Sequence, residues 1–341
     1  MQQVDEIMKK IRKGFTGEAS RDIPYLQQKM DEYKEHDLSA DIIRECSRLL
    51  YDIAASSEEM QKENENIEET HKHMKEIRVY VEQGEVAQAL RVSEELVKRA
   101  DNNSMYIDNE KCEFYSFSEF FEEIMVKEFM HSGREIVKAN FPFSDIYYQH
   151  GMLLMGQNKI KEAQDVLAKA RRWNPVSAPI AFAYMDTFRM MGKMDEYAEL
   201  NREIFPYLYK GKDVAQCYSH FAGYYAGKEE WRVAAGCCQL SLKFEPGEKT
   251  VEDLLKEIKK KAGAGFKIPS KKEMEHLADK YEIRVSPNSN IINLAVGMGE
   301  QFMNQQALEA ALYCFEIVYG LTQDKKIGEL VKKMRILAPM G

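Results

Sequence analysis

Two stretches of this chain carry the same spacing of small, bulky and apolar positions. In Ser144–Pro175 and in Ala215–Pro246, the second set lies 71 residues after the first: Gly151, Leu154, Ala163, Leu167, Ala170 and Pro175 correspond to Ala222, Tyr225, Ala234, Cys238, Ser241 and Pro246. Small side chains let two helices approach closely, and bulky ones fill the spaces beside them. The pattern therefore predicts a pair of antiparallel helices that repeats along the chain.

The predicted pairs also contain signals for a turn and for an end. Met155-Gly156-Gln157-Asn158 separates the two apolar segments of the first pair, and Asn174-Pro175 follows its second segment. Proline cannot donate a backbone hydrogen bond and crowds the preceding turn, so the second helix should end there.

This spacing resembles that of the tetratricopeptide repeat, a helix–turn–helix unit of about 34 residues. Residues 178–211 fit its length, and residues 292–323 repeat the pattern with Gly299, Phe302, Ala311, Phe315 and Val318. The resemblance implies an all-α fold, a right-handed superhelical α-solenoid of such repeats with extra capping helices. Repeat proteins of this kind occur in bacteria, and we expect a bacterial repeat protein here.

The resemblance and the local patterns divide the chain into five segments. We expect a helical N-terminal cap over 1–69, degenerate repeats over 70–143 and three repeats over 144–248. A helix and a lysine-rich linker should follow over 249–290, and a last repeat with a capping helix over 291–341. Tyr106–Ala139 is predicted to form two helices around an aromatic cluster. Because no run of alternating valine, isoleucine and threonine occurs, no sheet is expected.

Charge is distributed unevenly along the chain. The net charge is −8, and residues 1–70 contain 17 acidic and 10 basic side chains. This segment is either a solvated cap or an acidic docking surface for a basic partner. Lys256–Lys272 contains seven lysines and one glutamate, but no arginine and only one aromatic residue, Phe266. That composition favours a solubilising loop over a nucleic-acid site.

Targeting signals and chemical motifs are not found in the sequence. The N-terminal residues lack a secretory pattern, and no run of about 18 apolar residues predicts a membrane span. The cysteines do not form a C-x-x-C motif and are expected to be buried free thiols in a reducing cytoplasm: Cys46, Cys112, Cys217, Cys237, Cys238 and Cys314. His150 and His220 are expected to be core or groove residues. We therefore expect no catalytic residue, no cofactor and no metal.

In tetratricopeptide repeats the first helix of each pair lines the concave face, and the resemblance transfers that role to particular residues here. The implied groove residues are Tyr148, Met152, Met155, Phe182, Asp186, Arg189, Gln216, Ser219 and Gly223. A groove with methionine and aromatic side chains adapts to varied peptides. The lysine and asparagine clamp that holds terminal carboxylates in some family members is missing, since Tyr148/Met152, Phe182/Asp186 and Ser219/Gly223 occupy its positions.

The function expected from the resemblance is that of a non-enzymatic scaffold or adaptor that binds a protein or peptide in this groove. One alternative is a peptide-sensing regulatory protein, and a second is an enzyme on a helical scaffold. No nucleic acid or membrane is expected as a partner, and a homo-oligomer is compatible with apolar residues on the terminal helices.

Overall fold

The structure is a computed structural model that describes residues 2–56, 58–130 and 133–337. Within these ranges it contains 17 α-helices, one short 3-10 helix and two short strands. Contacts between Cα atoms divide the chain into two compact units, Met1–Val79 and Tyr80–Gly341. The end of the predicted segment 291–341 falls on residues 338–341, which lie outside the described residues.

The first unit is built from amphipathic helices. They are α1 (Gln2–Arg12), α2 (Ala19–Glu32), α3 (Ser39–Ser56) and most of α4 (Glu58–Glu82). The apolar faces of α1, α2 and α3 form one core of buried side chains: Val4, Met8, Ile11, Leu26, Ile42 and Cys46. Asp22 stabilises the start of α2, because its carboxylate accepts hydrogen bonds from the backbone N–H groups of Thr16 and Gly17 at 2.7 and 2.9 Å.

The second unit consists mainly of consecutive helices that pack in pairs. These helices are α5 (Val86–Asn102), α7 (Phe143–Gly156), α8 (Ile160–Trp173), α9 (Ala178–Met190), α10 (Met194–Ile204), α11 (Gly211–Gly227), α12 (Trp231–Phe244), α13 (Lys249–Ala262), α14 (Lys271–Tyr281), α15 (Ser289–Asn304), α16 (Leu308–Thr322) and α17 (Lys325–Leu337). Helix α7 packs on α8, α9 on α10, α11 on α12 and α15 on α16, and successive pairs contact each other. The predicted all-α repeat fold is confirmed.

A small and a bulky position of the repeat meet inside the pair α7–α8. A Cβ atom built on Gly151 of α7 would lie 2.5 Å from the Cγ atom of Leu167 on α8, so only glycine leaves room for that leucine. The less regular pair α9–α10 places Asn201 at a fully buried position. Its Nδ2 donates to the carbonyl oxygen of Cys217 at 2.9 Å, whereas its buried Oδ1 has no hydrogen-bond partner among the described residues.

The prediction of two helices and no sheet for Tyr106–Ala139 is wrong. Strand β1 (Cys112–Tyr115) pairs in parallel with β2 (Glu135–Lys138), and one helix, α6 (Phe120–Phe129), follows β1. Each strand has only four residues, too few for an alternating pattern to show in the sequence. The aromatic cluster does enter the core as expected, with Phe121 fully buried. We call residues 112–130 and 133–138 the insertion.

Helix α14 was not predicted, because lysines dominate the sequence around its start. Ser270 nevertheless forms a capping box with Glu273, in which each side chain accepts a hydrogen bond from the backbone N–H of the other residue. The S-x-x-E spacing of this box is a known helix-start signal and would have indicated the helix.

Helix α16 contacts the first residue of α11, and the insertion contacts Lys210, the residue just before α11. Helix α16 packs on α11, where a Cβ atom on Gly211 would lie 2.4 Å from the carbonyl oxygen of Gly320. Glu119, which caps α6, accepts hydrogen bonds from the side chains of Lys210 and of Tyr313 on α16. These contacts join segments of the second unit that are far apart in sequence.

Candidate functional site

Helices α7, α9 and α11 present most of the predicted groove residues to one cleft of about 290 Å³. It is lined by Tyr148, Met152, Met155, Pro179, Phe182, Ala183, Asp186, Lys212, Asp213 and Gln216. Six of these ten residues belong to the predicted set. The first helices of three successive pairs therefore line one cleft.

Two further clefts adjoin the first through shared residues. A cleft of about 370 Å³ shares Asp186 with it and contains Arg189, Ser219 and Gly223. A cleft of about 510 Å³ shares Lys212 and Gln216 with the first and is also lined by Ser219, His220, Glu245 and Glu248. We call these three clefts together the groove. All nine residues that the resemblance implied line it.

The predicted residues differ in how much of each side chain is accessible. Met152 is 43% exposed, and Arg189 and Gln216 are also exposed. Tyr148, Met155, Asp186 and Ser219 are half-buried. Phe182 is only 4% exposed and belongs to the hydrophobic core. The first cleft thus combines accessible methionine with a floor formed by core residues.

The acid and the base of the predicted set neutralise each other. Arg189 Nε donates to Asp186 Oδ1 at 2.8 Å, one helical turn away on α9. Asp213, which sequence reasoning missed, is 6% exposed, and burial raises the pKa of its carboxyl. No sequence signal distinguished it, because it lies in the first turn of α11 rather than at one of the positions that the resemblance transfers.

His220 separates the second cleft from the third, and its ring has an unusual environment. The ring lies edge-to-face on Phe182, with centroids 5.0 Å apart, and 5.5 Å from the ring of Tyr197. Its Nδ1 atom is buried and has no hydrogen-bond partner among the described residues. Burial lowers the pKa of His220 to about 4, so the imidazole is neutral at pH 7. An unpaired buried N–H is unfavourable, which places the proton on Nε2.

His150 lies outside the groove and has a core role. It is buried, and its Nδ1 atom is 2.8 Å from the Oγ atom of Ser93 on α5. Burial lowers its pKa as well. Across the described ranges, no group of three or more His, Cys, Asp or Glu side chains is arranged to hold a metal ion.

The cysteines are free, and five of the six are buried. Cys112 is the exception to the predicted burial, because it lies on strand β1, which was not anticipated; its sulfur accepts a hydrogen bond from Asn109 Nδ2 at 3.1 Å. Cys237 and Cys238 fill packing positions on α12 as expected, and both are fully buried.

A fourth cleft, of about 550 Å³, lies between α12 and the segment that contains α14. Its lining includes Leu240, Lys243, Lys271, Met274 and Glu275. This cleft contains none of the residues that the resemblance assigned to the concave face. Among the helices α7 to α12, only α12 contributes residues to its lining.

None of the helices in the described part of the chain is long and apolar enough to cross a membrane. No family model and no curated protein matches the sequence. Eight chains of solved structures match it. One belongs to a structure described as the crystal structure of the APC/C hetero-tetramer Cut9-Hcn1, with 11% sequence identity and a TM-score of 0.33. The match covers 88% of this chain and 54% of that one, so the chain spans about half the length of this neighbour.

Proposed function

We propose that this protein is a non-enzymatic scaffold that binds a protein or peptide segment in the groove. The observation that carries the proposal is the convergence of residues from α7, α9 and α11 on adjoining clefts. Accessible Met152 and half-buried Met155 offer polarizable, adaptable apolar surface, and Gln216 and Ser219 supply polar groups beside it. Peptide segments commonly bind in elongated grooves of this composition.

The cytoplasm is the compartment that we propose for this activity. All six cysteines are free, and Cys217, Cys237 and Cys238 lie close together in the core without forming a disulfide. Unpaired cysteines are typical of proteins that fold in a reducing environment.

An unbiased selection tests the proposal. A phage-displayed library of random peptides would be panned on the full chain and, in parallel, on a Met152→Glu variant. A charge at this accessible position should weaken the binding of apolar peptide side chains. It should not open a cavity, because 43% of the Met152 side chain already faces solvent. We expect peptides that bind the wild type with micromolar affinity and lose about tenfold or more in the variant.

The matched control is Met303→Glu on α15, at a methionine that is 39% exposed and lines none of the three clefts. Peptides that bind both variants as well as the wild type would place the binding surface outside the groove and refute the proposal. Phe182→Ala is unsuitable for this purpose, since truncating a core phenylalanine costs about 3–5 kcal/mol of stability.

A further inference from the structure

The charges along the groove are unequal, and this inequality restricts the ligand. Four carboxylates line the three clefts, Asp186, Asp213, Glu245 and Glu248, against two cationic side chains, Arg189 and Lys212. His220 adds no positive charge at pH 7, because its burial keeps the imidazole neutral. The groove therefore carries a net negative charge.

The carboxylates that remain available are concentrated in the third cleft. Asp186 is already paired with Arg189, and Asp213 is buried. Glu245 and Glu248 are both exposed in the loop between α12 and α13, and the structure shows no cation within ion-pair distance of either among the described residues. Glu248 accepts a hydrogen bond from the backbone N–H of Thr250 at 3.2 Å, which holds its carboxylate at the start of α13.

The large apolar side chains that line the first cleft do not line the third. Tyr148, Met152 and Met155 line the first cleft, and none of them reaches the third. Lys212 and Gln216 belong to both clefts and connect them. The groove thus has an apolar section and an acidic section that one continuous ligand can span.

We propose that the ligand is a basic, apolar peptide segment, with apolar side chains in the first cleft and a lysine or arginine beside Glu245 and Glu248 in the third. This inference rests on the proposed function and specifies the chemistry of its ligand. Opposite charge across an interface favours correct partners and disfavours like-charged ones, so acidic segments are rejected. The neutral Nε2–H of His220 is available to a backbone carbonyl of the bound segment.

Three pools of fluorescein-labelled synthetic peptides provide the probe. All peptides share the same pattern of leucine, methionine and phenylalanine, and the remaining positions are lysine and arginine in the basic pool, glutamate and aspartate in the acidic pool, and serine and asparagine in the neutral pool. Binding to the full chain is followed by fluorescence anisotropy at physiological salt. We expect the basic pool to bind about tenfold or more tightly than the acidic pool, with the neutral pool between them.

The variant Glu245→Lys/Glu248→Gln tests where the cation binds. Glutamine at 248 retains an acceptor for the Thr250 N–H, so the start of α13 is preserved. The preference for the basic pool should fall at least severalfold in this variant. It should persist in the control Glu309→Lys/Glu329→Gln, which changes two exposed carboxylates on α16 and α17 outside the groove.

Each contrary outcome identifies what fails. Equal or tighter binding of the acidic pool, with binding still lost in Met152→Glu, refutes the charge preference and leaves the groove as a peptide site. A basic preference that is unchanged in Glu245→Lys/Glu248→Gln moves the cation site elsewhere, for example to the acidic residues 1–70, and refutes the inference. If no pool binds and random selection yields no peptide, the proposed function fails together with the inference.

Discussion

The half-buried His220 of the groove allows a quantitative prediction about how the stability of the protein depends on acid pH. His220 has a pKa of about 4 in the folded chain, against an ordinary value of 6.5, mainly because burial disfavours the imidazolium. Asp186 opposes this effect by favouring the charged form, and Arg189 reinforces it. The unfolded chain therefore binds a proton at His220 over a pH range in which the folded chain does not.

The sign and size of the effect follow from proton linkage. Above about pH 6.5 the ring is neutral in both states, and stability is unaffected. As the pH falls from 6.5 to 4, the unfolded state gains the proton first, so the free energy of unfolding decreases by about 1.4 kcal/mol per pH unit at most. The full loss is about 3 kcal/mol, an upper value because part of the ring faces the clefts.

Urea unfolding of the full chain at a series of pH values measures this loss. Both tryptophans, Trp173 and Trp231, belong to the second unit, so their fluorescence follows the unfolding of the unit that contains His220. The comparison is with His220→Gln, whose side chain does not titrate.

The informative quantity is the difference in unfolding free energy between wild type and His220→Gln as a function of pH. We expect this difference to shift in favour of the variant by up to about 3 kcal/mol between pH 7 and 4. Parallel pH curves for wild type and His220→Gln would refute the assignment of His220 as a buried neutral group.

Two further predictions concern contacts that hold the second unit together. Gly211→Ala should destabilise the protein by about 1–3 kcal/mol in urea unfolding, because the new Cβ would meet the backbone carbonyl of Gly320, which cannot rotate away. The control is Gly223→Ala on the same helix, where the space around the new Cβ is open. This substitution should be neutral or stabilise the protein by up to about 1 kcal/mol. Equal effects of the two alanines would argue against the close approach of α11 and α16. Glu122→Ala should cost about 2–3 kcal/mol, measured as a lowered urea midpoint at unchanged slope, because the buried carboxylate accepts a hydrogen bond from Asn174 Nδ2 at 2.8 Å and two more from backbone N–H groups. A free energy of unfolding within about 0.5 kcal/mol of the wild-type value would contradict this.

The helix pairs were predictable because their determinants are local. Gly151 and Leu167 are 16 residues apart, and one helix–turn–helix brings them together whatever the rest of the chain does. Similar spacings occur again in the pairs that contain Ala222 and Gly299, so each copy supports the interpretation of the others. Local contacts of this kind leave a periodic signal that a single sequence displays.

The insertion was not predictable by the same means. The register partners Glu113 and Ile136 lie on opposite sides of helix α6 in the sequence, and the strands are too short to show alternation. Cys112 shares this origin, since its partial exposure follows from the strand on which it lies. Nonlocal pairing of short segments leaves little trace in the sequence.

The groove was anticipated in part. The positions transferred from the resemblance all line the clefts, yet Lys212, Asp213, Glu245 and Glu248 were missed. These four residues lie in the first turn of α11 and in the loop between α12 and α13, outside the transferred positions on the first helices. The helix faces could thus be inferred from repeat spacing, whereas the charge of the groove also depends on the first turn of α11 and on the loop between α12 and α13.

The insertion contacts two chain segments that lie next to the first cleft of the groove. Glu122 of α6 holds Asn174, in the connection just before α9, and Glu119 holds Lys210, just before α11. The first cleft is bounded by the N-terminal turns of those same helices, through Pro179 on α9 and through Lys212 and Asp213 on α11.

The carboxylates of Glu119, which caps α6, and of Glu122 in its first turn therefore tie the segments just before α9 and α11 to one short helix. Regular repeats specify which faces line a groove but leave its width to small rotations between successive pairs. In this chain, side chains from outside the repeats contact the segments just before α9 and α11. Loss of the Glu122 contacts should consequently alter peptide affinity in the first cleft as well as stability, although Glu122 itself lines none of the three clefts.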